Sequence, residues 1–381
     1  MINIPEHITL TKSRDKLYIL TNTITQSYVK VGEFELQFLS KLYINDESID
    51  DSFTEEQRQY LYENYKKLGF LSEEDSYSLI KKKSKSDLSR IYLFRKDPTE
   101  FFRNNKWLYK GKHIPLVLIL MGLVVIFAAE LFISNIKNWT NSINLTDINF
   151  TIVISMYLLI LITIFFHELA HAVTCYYFGG KVKEVGIMLL YMNPSFYCDV
   201  SSIYLFNKKL HRLLVLLAGV LSQVFLSSVA IIIGYFMYLN GLKIDIIIYY
   251  IAFNIINVLL NLSPVIKLDG YWILVQLTDI TNLREKSFKY VLSYTKDKYK
   301  PYRISLLGKE KFLFFSYGVI GIFGTYLIWI YSAYLIGKIT YNYLGYWGNS
   351  IFIAWIIVLI IHIAKRIKKY SILLNQDIIY K

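Results

Sequence analysis

The stretch TIVISMYLLILITIFFHELAHAVTCYYF, residues 151–178, decides the fold of this chain. Residues 151–166 carry no charge, and the whole stretch is long enough to cross the hydrocarbon layer of a membrane as a helix. On a helix His167 and His171 lie one turn apart on the same face, so both can bind one metal ion. Glu168 stands beside them, in the place of the general base of a zinc hydrolase. Because polar side chains at membrane depth are costly, this HExxH pattern predicts a functional metal site.

The composition of the whole chain favours a membrane protein. Its 381 residues are 54% hydrophobic and 17% aromatic, and the mean hydropathy is +0.36, which is too apolar for one soluble domain. The formal net charge is +13, but the lysines and arginines cluster beside apolar runs, which indicates membrane topology and anionic lipid rather than nucleic acid. Cys175 and Cys198 do not form a CxxC pair, which argues against a disulfide framework or a thiolate zinc site. The start, MINIPEHITL, lacks a charged and then apolar leader, so we expect no cleaved signal peptide.

Residues 1–80 are predicted to form a small cytosolic α+β domain of winged-helix type. Residues 16–20 and 27–31 are short β-rich runs, and the polar residues 21–23 between them suit a turn. A helical pattern of apolar residues follows at 34–42.

The second half of this domain carries a helix-start signal. Thr54 and Gln57 are spaced as a capping box, which predicts the beginning of a helix that Gly69 ends. Phe70 and Leu71 then predict a wing strand. The domain either recognises a peptide or only covers the cytosolic face of the protein.

Residues 81–113 form a predicted basic juxtamembrane linker, in which aromatic residues alternate with lysines and arginines, and we expect it at the membrane interface. Six apolar segments are predicted to span the membrane, at about residues 114–133, 151–178, 213–239, 246–262, 312–336 and 351–364. Residues 181–206 are predicted to form a β-hairpin or a re-entrant loop. The first four spans and this hairpin make up a predicted core at 114–275, and 276–381 hold a basic cytosolic segment with two C-terminal spans. The predicted fold class is therefore an all-α polytopic membrane protein with a small N-terminal α+β domain.

The distribution of basic residues supports six spans. Basic segments occur at 81–113, 181–212, 265–311 and 365–381, and the loops 134–149, 240–245 and 337–350 are nearly free of lysine and arginine. The two sets alternate, as six spans with both termini in the cytoplasm require. The same layout places His167, His171 and Asp269 near the cytoplasmic ends of their helices.

A catalytic zinc site needs a third protein ligand besides the two histidines. The candidates are carboxylates and histidines elsewhere in the chain, namely Asp199, Asp269, His211, Glu130 and His362. Asp269 is favoured because it follows a span on the cytoplasmic side, where Gly270 lets the backbone turn tightly. Asp199 is the next candidate, and depth argues against Glu130. The alternative to metal binding is a polar contact in which the histidines hydrogen-bond across a helix bundle.

The two motifs together resemble a known family. HELAH near the cytoplasmic end of one span, followed by N-x-x-P-x-x-x-L-D-G at 261–270, is similar to the site-2 protease family of intramembrane zinc metalloproteases over residues 114–275. The resemblance implies Zn²⁺ ligands at His167, His171 and Asp269, a catalytic base at Glu168, and a substrate or oxyanion contact at Asn261. It also implies that the hairpin guides an extended substrate toward the metal.

Some residues depart from that family or resemble one of its branches. Val220, Gln223 and Tyr271 stand where many relatives have proline, asparagine and glycine. The sequences at 196–199 and 269–272 resemble a branch linked to bacterial peptide maturation, such as that of bacteriocins. Residues 1–80 resemble, more weakly, the small peptide-binding domain of pyrroloquinoline quinone biosynthesis, which implies recognition of a leader peptide by strand addition.

On this basis we expect a bacterial plasma-membrane protein that acts on a peptide precursor or a small membrane protein. The expected partners are a peptide-modifying enzyme, a transporter and the lipid bilayer. Binding to nucleic acid is not expected. Two other functions stay open. One is a non-catalytic membrane adaptor that binds a modified peptide for export or immunity, and the other is a regulated protease that releases a membrane-bound regulator.

Overall fold

The computed structural model of the chain describes residues 4–12, 18–25, 27–44, 53–83, 90–141, 150–190, 193–295 and 308–346, with scattered residues from 349 to 372. This described part is mostly helical, with two small sheets. Two compact units make up the chain, Met1–Leu259 and Leu260–Lys381.

The first unit begins with an antiparallel sheet, the N-terminal sheet, in the order β1-β2-β3. Its strands are β1 (Ile8–Lys12), β2 (Tyr18–Asn22) and β3 (Ser27–Val31). The sequence had predicted the two later strands but not β1. The predicted turn at 21–23 is displaced, because Asn22 still belongs to β2 and its Oδ1 accepts the N–H groups of Ile24 and Thr25, each at 2.9 Å. The turn thus begins two residues later than expected, at Thr23, and the asparagine side chain closes it.

Three helices cover this sheet: α1 (Glu33–Tyr43), α2 (Glu55–Lys67) and α3 (Glu73–Lys83). The predicted capping box is confirmed, since the Thr54 N–H donates to Gln57 Oε1 at 3.0 Å and Thr54 Oγ1 accepts the Gln57 N–H at 3.3 Å. Gly69 ends α2 with a φ of 75°. The predicted wing strand at Phe70 and Leu71 is wrong, because Phe70 is fully buried in the domain core and α3 begins two residues after Leu71. Burying such a ring stabilises the domain by about 1.5–3 kcal/mol.

A second antiparallel sheet has the order β4-β5-β6. Its strands are β4 (Arg90–Lys96), β5 (Val185–Leu190) and β6 (Asn193–Cys198). The structure thus forms the predicted hairpin, with Val185 opposite Cys198. Strand β4 comes from the predicted basic linker and was not expected to be a strand. Its aromatic run resembled an interfacial segment, and its partner strand lies about ninety residues later, beyond the reach of a local pattern.

Four helices in the described part are long and apolar enough to cross a membrane. They are α5 (Ile114–Asn141), α6 (Phe150–Tyr177), α7 (Lys209–Leu239) and α8 (Asp245–Leu262), and a short α4 (Thr99–Asn104) precedes them. The four long helices coincide with the first four predicted spans. Helix α7 packs against both α5 and α6, and Trp139 and Ile231 lie in one buried apolar cluster.

The second unit contains α9 (Asp269–Thr278), α10 (Leu283–Leu292) and α11 (Gly308–Leu344). Tyr271 and Tyr317 belong to its apolar core, and the Tyr317 hydroxyl donates to the carbonyl of Pro264 at 2.8 Å. The predicted fifth span lies within α11. The predicted sixth span, 351–364, falls largely outside the described residues, so the count of six stays a prediction.

Candidate metal centre

The two motif histidines lie side by side on the buried face of α6. His167 and His171 are 6% and 5% exposed, and their Nε2 atoms are 3.1 Å apart. Two imidazole nitrogens that bind one zinc ion tetrahedrally at about 2.0–2.1 Å are separated by roughly 3.3 Å. The pair therefore has nearly the spacing of two ligands of one metal ion.

A backbone carbonyl on α7 sets the protonation of one of these rings. Nδ1 of His171 lies 2.7 Å from the carbonyl oxygen of Val215. A carbonyl can only accept, so Nδ1 carries the proton and Nε2 keeps its lone pair in the neutral ring. That lone pair is on the nitrogen that faces His167, as metal binding requires.

Gly219, one turn after Val215 on α7, allows the two helices to approach this closely. A Cβ atom at Gly219 would lie 2.6 Å from Nε2 of His167 and would overlap the ring of His171. Any other residue would push α7 away or displace the rings. The glycine at position 219 thus has a steric reason.

Asp269 is the first residue of α9, where the helix dipole favours a negative charge. The following Gly270 is buried, and a Cβ there would overlap the carbonyl group of Leu262 and lie 2.9 Å from the carbonyl carbon of Ser263. Close passage over the end of α8, rather than a left-handed φ, is therefore the reason for glycine at this position.

His167, His171 and Asp269 form one group whose metal-binding atoms all lie within 4.8 Å of one another. Both histidines are buried and the aspartate is half-buried. Two imidazoles and one carboxylate are a donor set typical of a catalytic zinc ion, which keeps its remaining position for water or substrate. The residues present thus fit a metal ion of this kind.

The other candidate ligands lie outside this group in the described part of the chain. Asp199 Oδ1 accepts the backbone N–H of Ser201 at 2.9 Å and also the Ser201 hydroxyl. The His211 ring stacks on Phe178, with ring centres 4.2 Å apart. Glu130 is exposed on α5. His362 lies outside the described residues.

The two remaining predicted site residues are half-buried. Glu168 directly follows His167 on α6, and its carboxylate is near β6. Burial raises the pKa of the Cys198 thiol well above its ordinary value, and the Glu168 carboxylate raises this pKa further. Asn261 lies in the last turn of α8. The catalytic role of Glu168 and the substrate role of Asn261 both stay predictions.

Sequence reasoning missed a layer of buried polar side chains beside the histidines. Thr163 Oγ1, one turn before His167, is 2.8 Å from the Tyr250 hydroxyl. The Asn254 amide donates to the Gln223 carbonyl at 3.0 Å and to Ser227 Oγ at 2.7 Å. Polar residues spaced at helical intervals within apolar spans were the available signal.

No protein-family model, curated protein or solved structure matches this chain. The function therefore has to be inferred from the residues themselves. They give four long apolar helices and a His-His-Asp group able to hold a metal ion.

Proposed function

We propose that the protein is a membrane-embedded zinc metalloendopeptidase of the site-2 protease type. The observation that carries this proposal is the group of His167, His171 and Asp269, whose metal-binding atoms all lie within 4.8 Å of one another. The helix that bears the HExxH motif is long and apolar enough to span a membrane. Glu168 supplies the adjacent carboxylate that peptide hydrolysis needs. The substrate is a peptide precursor or a small membrane protein, in the maturation of a ribosomally made peptide.

In this mechanism the two histidines and Asp269 hold Zn²⁺, which when bound supplies a Lewis acid that polarises the scissile carbonyl and acidifies water. Glu168 takes a proton from the attacking water and passes it to the leaving amine. A carbon–oxygen bond forms and the carbon–nitrogen bond breaks, and the proton ends on the amine. Asn261 donates its amide to the developing oxyanion or to the substrate backbone.

The second sheet suggests how an extended substrate is held. Strand β5 is central, with β4 on one side and β6 on the other, so β5 has no free edge. Strand β6 packs on the metal helix α6, where the rings of Phe196 and Phe165 are 5.4 Å apart. The outer edge of β6 can pair with an unwound peptide and present its carbonyl groups to the metal centre.

The test is cleavage of a candidate precursor by purified Glu168→Gln and Asp269→Ala variants, together with their zinc content. Glu168→Gln is expected to keep zinc and lose about 10²–10⁴-fold in rate, the usual contribution of a general base. Asp269→Ala is expected to lose both zinc and cleavage. Glu130→Ala, a carboxylate exposed on α5, is the matched control and should behave as the wild type.

Unchanged cleavage by Glu168→Gln would reject the proposal. Peptide export or immunity that persists in this variant would instead favour the membrane adaptor. Release of a membrane-bound regulator, with no peptide product, would favour the regulated protease. The proposed partners of the protein in peptide maturation are a peptide-modifying enzyme and a transporter. The lipid bilayer surrounds the proposed spans. The proposed location of the protein is the bacterial plasma membrane, with both termini in the cytoplasm.

A further inference from the structure

The N-terminal sheet contacts the residues that flank the β5–β6 hairpin, which we call the hairpin base and define as residues 181–184 and 199–202. Lys183 Nζ donates to the carbonyl oxygen of Thr25 at 2.8 Å, across 158 residues of sequence. Thr25 is 9% exposed and lies in the β2–β3 turn. Thr25 itself is buried and Lys183 is half-buried, so this charge-assisted hydrogen bond is partly shielded from water.

A second residue of the N-terminal sheet lies beside the same hairpin base. Burial raises the pKa of the Tyr28 hydroxyl, and the nearby Asp199 carboxylate raises it further. Tyr28 is on β3, directly after the turn that Lys183 contacts. Thr25 and Tyr28 of the N-terminal sheet therefore lie beside both segments of the hairpin base, at Lys183 and Asp199 respectively.

The hairpin base is in turn bonded to the metal helix. The Ser202 hydroxyl donates to the Lys181 carbonyl at 2.5 Å and accepts the Lys181 N–H at 3.1 Å. The same hydroxyl lies 3.4 Å from Cys175 Sγ. Cys175 follows His171 by one turn on the same face of α6, so the hairpin base contacts the metal helix one turn away from the metal centre.

We propose that the N-terminal sheet is docked on the hairpin base rather than tethered freely, and that Lys183 is the positioning residue of this contact. A docked sheet keeps a bound leader peptide at one distance from the metal centre. A free tether would allow many distances. The contact therefore determines which bond of the precursor is cleaved, counted from the recognised segment. This consequence rests on the proposed protease function and on recognition of the leader peptide by residues 1–80, whereas the docking itself rests on neither.

The docking is tested without any substrate. Spin labels are placed on cysteines introduced at Glu74 and Lys208, which are both exposed, and the distance between them is measured by pulsed electron paramagnetic resonance. The wild type should give one narrow distance and Lys183→Met a broad distribution. Lys181→Met, whose side chain is exposed, is the matched control and should stay narrow. A narrow distance in Lys183→Met, or a broad one in the wild type, would overturn the docking.

The effect on specificity is tested by mass spectrometry of the products. Lys183→Met should cleave a full precursor several-fold more slowly and at several bonds, with hydrolysis of a short peptide around the scissile bond unchanged. A single unchanged site and rate, despite a broadened distance, would overturn the positioning role. If no variant cleaves anything but the distances behave as expected, the protease proposal fails and the docking stands.

Discussion

At the residue scale, the histidine pair depends on what α7 places against it. The Val215 carbonyl orders the His171 ring, and Gly219 leaves the space that both rings occupy. Tyr271, which departs from the glycine frequent in the resembling family, is 1% exposed in the core of the second unit. Lys267 Nζ lies 5.7 Å from the centre of its ring. A large buried ring anchors the first turn of α9, so packing accounts for this departure.

Gly219→Ala is expected to weaken metal binding. The new methyl group would lie 2.6 Å from His167 Nε2, and relieving such overpacking costs about 1–3 kcal/mol. Zinc affinity, measured by competition with a chromophoric chelator, should fall accordingly. Gly122→Ala on α5 is the control, because a Cβ there meets nothing within 4 Å. Equal zinc affinities of the two variants would contradict the steric role of Gly219.

At the element scale, the described helices owe their contacts to polar groups as well as to apolar faces. Helix α8 is joined to α7 by the Asn254 amide, which is 1% exposed and bonds to Gln223 and Ser227. Without water in the bilayer core, such groups must be satisfied between helices. The local capping box of α2 was readable from sequence, but this pairing of two helices was not, since it depends on their relative rotation.

Asn254→Leu is expected to loosen α8 from α7. Loss of the two interhelical hydrogen bonds should lower the free energy of unfolding by about 0.6 kcal/mol per bond, the average for membrane helices. Unfolding in mixed micelles of a mild detergent and dodecyl sulfate measures this change. Asn240→Leu is the comparison, because the Asn240 amide donates to the Phe236 carbonyl of its own helix at 2.7 Å. A variant at 254 as stable as the wild type would show that the amide contributes nothing.

At the scale of the whole molecule, the four described membrane-length helices give a testable topology. If all four helices cross the membrane, the chain returns to the side on which it started, and the basic loops predict that this side is the cytoplasm. The hairpin base, the HExxH motif and Asp269 are then all expected near the cytoplasmic face.

Cysteine labelling in intact cells checks this arrangement. A cysteine at Lys243, exposed between α7 and α8, should react with a membrane-impermeant reagent added outside. Cysteines at Glu74 and Lys208 should react only after the cells are opened. Labelling of Lys208→Cys from outside the cells would contradict the proposed topology.

The sequence by itself determined the features that depend on neighbours along the chain. The period of the α-helix puts His167 and His171 on one face, and the spacing of Thr54 and Gln57 starts α2. Apolar length predicted four helices that the structure contains. These features are local, so a single segment carries all the information they need.

Only the tertiary structure decided which distant groups meet. It paired β4 with β5, placed the Val215 carbonyl on His171, and grouped Asp269 rather than Asp199 with the histidines. Each of these contacts depends on the rotation and depth of separate elements, which packing of the whole chain sets. The motif on α6 therefore supplies two residues of the candidate metal site, and the fold supplies the third residue and the carbonyl that orients the His171 ring.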